Sequence, residues 1–503
     1  MGASFQPVEA TVSEITSMLR SRVLTCSELV DRYLERIEAY DRRGPQLNSI
    51  VTLNPRARDE AEQCDVDLRR PHSRLGLLHG IPILIKDQIE TAGLRTTFGC
   101  IAFEHYVPAV DAEVVRRLKA AGAIILGKTA MPDFAMSYHG VSSVTGETKN
   151  PYAPERDPGG SSSGTGAAVA ASFATVGIGE DTGGSIRVPA SFNNLVGVRV
   201  TTGLISRHGI APLVVCQDTA GPMTRSVADA ALLLDILVGY DSRDSFTSAV
   251  GSRANTWNYR TRVLPAVVRG LRLGVLRTRF GPSEANLSAS VNRLIEKAIE
   301  TLRGLGATIV DPVVIPSLDD QLAAGSLYRI CSRANINDFM ADRPDLPVHT
   351  IEDVWRRQQF HPLVRLLEAV SNGPARPEDD PTYFQRLEAR ASLQRSIVGV
   401  ALDHRIDAYV CPTVRVPPQL RAKIDVATVE AQMTTGFPTN TEIAAYAGLP
   451  AVSVPAGFLD DGIPAGLELI GRPFGEATLL KLALAYEQAV APRKAPSSTP
   501  SLS

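Results

Sequence analysis

The amino-acid sequence predicts an α/β protein whose sheet is covered by helices on both faces. Three observations carry this. Short apolar runs, bounded by glycine, proline and polar turns, read as buried strands. Between them lie runs whose apolar residues recur at three- and four-residue steps, which read as amphipathic helices. The composition is ordinary for a globular protein, 44% hydrophobic and 21% charged over 503 residues. Length alone would allow about two to four domains.

The elements follow in order. "TVSEITSMLRSR" and "TCSELVDRYLERIEAYDRR" read as helices, each opened by a threonine at its N-cap. "IPILIKD" is a short apolar strand ending at Lys86. "DAEVVRRLKAAGAIILGK" is a helix, a glycine stop and a buried strand. The alternation returns at "LRLGVLR", "SVNRLIEKAIETLRGLGATIVDP", "DAYVCPT" and "AVSVPAG". From about Thr256 to Arg405 it weakens, and the segment reads as a helix-rich, cap-like region beside the site. The Pro/Ser-rich end, residues 491–503, reads as a disordered tail. There is no internal repeat.

Composition excludes some partners. With 52 basic and 54 acidic residues the net charge is −2, so nothing favours nucleic acid or an anionic membrane. The N-terminus lacks a basic segment followed by an apolar core, so it is no secretory signal. Gln6 stands where an N-myristoylation motif beginning at Gly2 needs Ser or Thr. No apolar run reaches transmembrane length. The six cysteines are scattered, without C-x-x-C, and read as reduced thiols in a cytoplasmic protein. The eight histidines show no metal-ligand spacing, so neither metal nor cofactor is expected.

The stretch "GGSSSGTGAAVAASFATVGIGEDTGGSIRVPAS", Gly159 to Ser191, holds eight glycines and six serines. Gly160–Gly164 matches G-x-S-x-G with Ser162 at its centre, but a nucleophile elbow needs a strand before the serine. Here "KNPYAPERDP" precedes it, charged and proline-broken. A dinucleotide loop fares worse, because "GTGAAV" lacks both the strand and the third glycine. Taken whole, the stretch gives Ser161–Ser163 at the mouth of an apolar helix, then a strand, then the turn "DTGGSIR" presenting Ser185. Consecutive glycines let backbone N–H groups converge, as an oxyanion hole requires. Asp181 and Arg187 flank that turn and could stiffen it.

These motifs resemble those of the amidase signature family of serine hydrolases. "GGSSSG" resembles its first serine motif, "DTGGSIRVPA" its nucleophile motif and "GIPILIKDQIETAG" its lysine motif. Lys86 lies 75 positions before Ser161, which lies 24 before Ser185. The similarity runs through "DTAGPMTRSVADAALLLDIL" and on to "AGLPAVSVPAGF"; 256–405 resembles the family least. The resemblance implies one α/β domain, residues 1–490, on a mixed sheet. It implies Ser185 as nucleophile, Ser161 as proton shuttle behind a cis peptide bond, and Lys86 as base. It implies that Ser162 hydrogen-bonds the lysine and that the amides of Thr182, Gly183, Gly184 and Ser185 form the oxyanion hole. Ser163 stands where the family often has glycine, and Val200 where many members have proline.

The implied reaction is cleavage of the C–N bond of a small or medium-sized amide through an acyl-enzyme, with ester or carbamate hydrolysis alongside. Phe134, Met136 and Tyr138 are candidates to line the acyl pocket. His139 reads as structural or substrate-facing. Two alternatives stand beside this reading: an amidotransferase A-type subunit, whose typical pattern is absent around "MTTGFPTNTEIAAYAGLP", and an inactive binding protein on the same fold. A homodimer is left open.

Overall fold

Apolar runs in this chain become strands of one large sheet. A computed structural model describes residues 5–70, 74–251, 257–282 and 286–502. The strands are β1 (Ile50–Leu53), β2 (Pro82–Lys86), β3 (Ile124–Thr129), β4 (Val141–Ser142), β5 (Gly146–Glu147), β6 (Val176–Asp181), β7 (Val196–Arg199), β8 (Thr219–Thr224), β9 (Arg272–Val275), β10 (Thr308–Val310), β11 (Ala408–Pro412), β12 (Ala451–Phe458) and β13 (Pro464–Gly471). β4 and β5 form a small hairpin; the rest form an eleven-stranded sheet ordered β1-β3-β2-β6-β8-β7-β12-β13-β11-β9-β10. The sheet is mixed: β3, β2 and β6 run parallel, as do β10, β9 and β11, and the strands between are antiparallel. Every residue of β2, β3 and β6 is buried, as expected for strands covered on both faces.

The first two helices, Val12–Arg20 and Cys26–Arg36, open with capping boxes, Thr11 with Glu14 and Thr25 with Glu28. The helix Ser163–Ala170 is different. All its residues are buried, so it is small-residue throughout rather than amphipathic. A Cβ at Gly164 would come within 2.3 Å of Ala130 N and Ser49 O, so glycine lets this helix rest on the backbone at the end of β3.

The described residues of the variable segment, 257–282 and 286–405, have two parts. β9 and β10 extend the main sheet; helices Leu318–Gly325 and Tyr383–Asp403 pack with Tyr409, Cys411 and Ile470 of the sheet, while helices Tyr328–Ala341, Ile351–Arg356 and Leu366–Ser371 cluster with Phe98, Phe103 and Phe134. The expectation of a disordered tail needs correction: residues 491–502 lie against the domain. Buried Arg36 donates to the carbonyls of Thr499 (2.8 Å) and Pro500 (2.7 Å), and to those of Ala171 (2.8 Å) and Ser172 (3.1 Å). Ser498 donates to Pro151 O, and Gln6 to Leu502 O. A Pro/Ser-rich sequence lacks apolar side chains to bury, but its backbone carbonyls are still acceptors for a buried guanidinium.

Candidate active site

Parallel β2 and β6 end side by side, and the site gathers at their carboxyl ends. Lys86 is the last residue of β2 and is fully buried. Its Nζ lies 2.7 Å from Ser161 Oγ, 3.1 Å from Glu180 O and 3.3 Å from Glu180 Oε2. Burial pushes the lysine below its usual value, against the opposing pull of the Glu180 carboxyl. Burial pushes Glu180 up to about 7, with Lys86 opposing.

Ser161 precedes the buried helix, and the Gly160–Ser161 peptide is cis. The N–H of Ser162 donates to Ser185 O at 3.1 Å, which joins the two serine turns. The Ser162 hydroxyl was expected on the lysine. Instead it donates to Glu180 O (3.2 Å) and accepts from Glu180 N–H (3.3 Å), pinning the backbone whose carbonyl also faces Lys86.

The turn Thr182–Ser185 has an uneven pattern of satisfaction. Each of its carbonyls is taken: Thr182 O by Gln217 Nε2 (2.5 Å), Gly183 O by Thr441 Oγ1 (2.6 Å), Gly184 O by Val188 N (2.8 Å) and Ser185 O by Ser162 N. Among the described residues, no protein acceptor takes the N–H groups of Gly183, Gly184 or Ser185. Buried backbone donors rarely stay unpaired, and three in a row next to a serine suit a developing oxyanion. Gly184 has φ of +145°, and a Cβ there would lie 2.0 Å from Thr441 Oγ1. Only glycine fits.

Asp181 and Arg187 are tied to each other across this turn. The Arg187 guanidinium pairs with both Asp181 oxygens at 3.1 Å, pairs with Glu468 and donates to Thr441 O at 2.9 Å. Arg199 adds a 2.9 Å contact to Asp181. Burial opposes ionisation of Asp181, but the two guanidinium groups win and hold its carboxyl at about 2.

Ser185 opens onto a cavity of about 910 Å³, whose wall includes Met136, Tyr138, Leu213, Tyr328 and Phe437. Met136 and Tyr138 thus reach the cavity as expected. Phe134 does not line it: its ring packs 5.5 Å from Phe103 and 6.0 Å from Phe98, within an aromatic cluster. The backbone at Phe134 and Ala135 is left-handed (φ +49° and +61°), so the alternation read from sequence breaks there. His139 sits on the wall, with Nε2 2.8 Å from Gln432 Oε1 and Nδ1 3.8 Å from Asp157 Oδ2.

The sequence reading overlooked Glu180, Thr441 and Glu442. Glu442 faces the cavity with its Oε1 3.4 Å from the Tyr138 hydroxyl, and burial pushes it up to about 7. A glutamate directly after the small and apolar run "VGIG" was the available signal for Glu180. No such signal marked Thr441.

A buried lysine, two serine turns and free glycine amides on an α/β sheet define a class, and family comparison names it: the Amidase model matches residues 28–480. The chain belongs to that amidase family. It is similar to the peptide amidase from Stenotrophomonas maltophilia, 35% identical with a TM-score of 0.86, covering 97% of this chain and 98% of that one. It is also similar to the A subunit of glutamyl-tRNA(Gln) amidotransferase from Moorella thermoacetica, 36% identical over 494 residues, 95% of this chain and 96% of the relative. The corresponding amidotransferase structure from Thermotoga maritima superposes with a TM-score of 0.72 at 28% identity, covering 95% of this chain and 94% of that one.

Proposed function

We propose that this protein is a serine hydrolase that cleaves the C–N bond of an amide through an acyl-enzyme on Ser185, with ester and carbamate hydrolysis as side activities. The observation that carries the reading is the Lys86–Ser161 contact at 2.7 Å beside a turn whose carbonyls are all taken and whose amides are free. Ser185 Oγ attacks the amide carbon. Its proton goes to Ser161, and the Ser161 proton goes to the neutral Lys86 amine. The amides of Gly183, Gly184 and Ser185 take up the negative charge on the carbonyl oxygen. The Thr182 amide, expected beside them from sequence, likewise meets no acceptor among the described residues and joins them, while its hydroxyl reaches Asp218 at 2.6 Å behind the turn. Collapse expels the amine, which takes a proton back through Ser161, and water then releases the acid by the reverse relay.

The 910 Å³ cavity supports a substrate larger than a simple aliphatic amide. Its mixed apolar and polar wall and the likeness to a peptide amidase support a carboxamide on a peptide or a group of similar bulk. The curated relatives support a second reading, one component of an amidotransferase. The closer superposition on the peptide amidase, 0.86 against 0.72, favours a free-standing hydrolase.

Brief mixing with a fluorophosphonate, followed by peptide mass mapping, tests the nucleophile. The expected adduct is on Ser185 and is absent from Ser185→Ala. An adduct on Ser162 would overturn the assignment. A panel of peptide amides, aryl amides, carbamates and esters then ranks substrates, with peptide amides expected to lead.

A further inference from the structure

The hydrogen atoms around Lys86 can be counted, and the count singles out Glu180. Thr182 Oγ1 lies 2.6 Å from Asp218 Oδ1 and 3.1 Å from Glu180 Oε1. A threonine hydroxyl has one proton to give. The shorter contact goes to Asp218, whose oxygens also accept from the N–H groups of Leu213 and Val214 at 2.8–3.1 Å. Thr182 then has only an acceptor left for Glu180. Glu180 Oε1 is satisfied only if the carboxyl itself supplies a proton.

The same count works at the lysine. Nζ has three oxygen neighbours. A neutral amine gives its two protons to Glu180 O and Glu180 Oε2, and its lone pair then faces the hydroxyl of Ser161. The other charges near the pair are accounted for: Asp181 is held by Arg187 and Arg199, and Asp218 by Thr182 and backbone amides. Among the described residues, no further cation is left to compensate an ionised Glu180 except Lys86 itself.

We propose that Glu180 is a positioning residue that carries a proton in the working enzyme, donating it to Thr182 Oγ1, and that this leaves Lys86 as a free amine aimed at Ser161. The inference rests on Lys86 being the base. The balance is one proton: ammonium plus carboxylate becomes amine plus carboxylic acid, and the pair stays neutral overall. An ionised Glu180 would instead trap Lys86 as an ammonium, which cannot accept from Ser161. That burial pushes Glu180 up and Lys86 down supports the neutral pair.

The test is the acid limb of kcat/KM against pH on an amide, measured for the full chain. Its midpoint, not its height, is the readout. Lys86→Ala comes first: a variant that keeps the limb means that Lys86 is not the base, and the foundation fails rather than the inference. With Lys86 established, Glu180→Gln is a permanent neutral stand-in, and its limb is expected within about half a pH unit of the wild type. Thr182→Val removes the acceptor for the carboxyl proton, so its limb moves to higher pH by about half to one unit. In the Glu180→Gln background Thr182→Val moves it no further. A Glu180→Gln limb displaced to lower pH by about a unit or more would show that Glu180 was an anion holding up the lysine, and would overturn the proposal. So would an unmoved limb in Thr182→Val alone, which decides the matter if Glu180→Gln does not fold.

Discussion

Two lysines stand on adjacent parallel strands, Lys86 on β2 and Lys128 on β3, with Ile85 opposite Lys128 in the register. Both are fully buried. Both face a carboxyl group, Glu180 at 3.3 Å and Asp87 at 3.6 Å. Burial pushes both below the usual lysine value, Lys128 to about 8. Their partners differ. Lys128 Nζ points at Ile89 O (2.6 Å), Thr96 Oγ1 (2.8 Å) and Asp87 O (3.5 Å), ties that hold one loop to one strand. Lys86 has a serine at 2.7 Å that adjoins a second serine on a cavity. Burial therefore does not make a lysine a base. What its lone pair would meet decides that.

The difference can be broken from either side. Lys86→Ala should lower kcat/KM on an amide by about 10²–10⁴-fold, the span of general base catalysis. An ester, with its better leaving group, should lose less. Parallel amide and ester assays check this, and near-wild-type amide turnover would end the proposed mechanism. Lys128→Met should do the opposite. It leaves Asp87 buried without its cation, at a cost of about 3–5 kcal/mol in denaturant unfolding. Its kcat/KM per folded molecule should change by no more than about threefold.

A pH series sharpens the comparison. Lys128 sits at about 8 when folded, against an ordinary 10.5. Between those values the unfolded chain binds more protons than the folded one, so unfolding free energy should rise with pH. From pH 8 to 10 this contribution is on the order of 2 kcal/mol. The rise should be smaller by that amount in Lys128→Met, and identical slopes would mean that Lys128 is not a depressed cation. The smallest effect is expected from Ser162→Ala, which frees the Glu180 backbone behind Lys86. One neutral hydrogen-bonding group is worth about 1 kcal/mol, hence a fall in kcat/KM of about five- to tenfold with the limb unmoved.

The two lysines also mark how far the sequence could be read. "IPILIKD" and "IILGKT" each put a lysine near the end of an apolar strand, so burial was legible for both and function for neither. The motif spacing separated them, by resemblance. Strand and helix order was legible because period-based signals are local, and so was the sheet's double cover. Glu180 was not, because its meaning depends on which strand lies beside β6. Phe134 was misread because two left-handed residues reset the alternation that Met136 and Tyr138 then resume. The tail was misread because composition reports side chains, while Arg36 holds it by its carbonyls.

That last grip bears on how the molecule is made. Arg36 bridges Thr499 and Pro500 to Ala171 and Ser172, the residues just behind the helix that Ser161 precedes. The ribosome delivers Arg36 and the helix early, while the carbonyl of Thr499 follows Arg36 by 463 residues. Without Thr499 and Pro500 the Arg36 guanidinium keeps two of its four carbonyl acceptors, those at the far end of the helix that Ser161 precedes. Two backbone carbonyls thus join stretches of chain that are synthesised far apart in time, through one buried guanidinium.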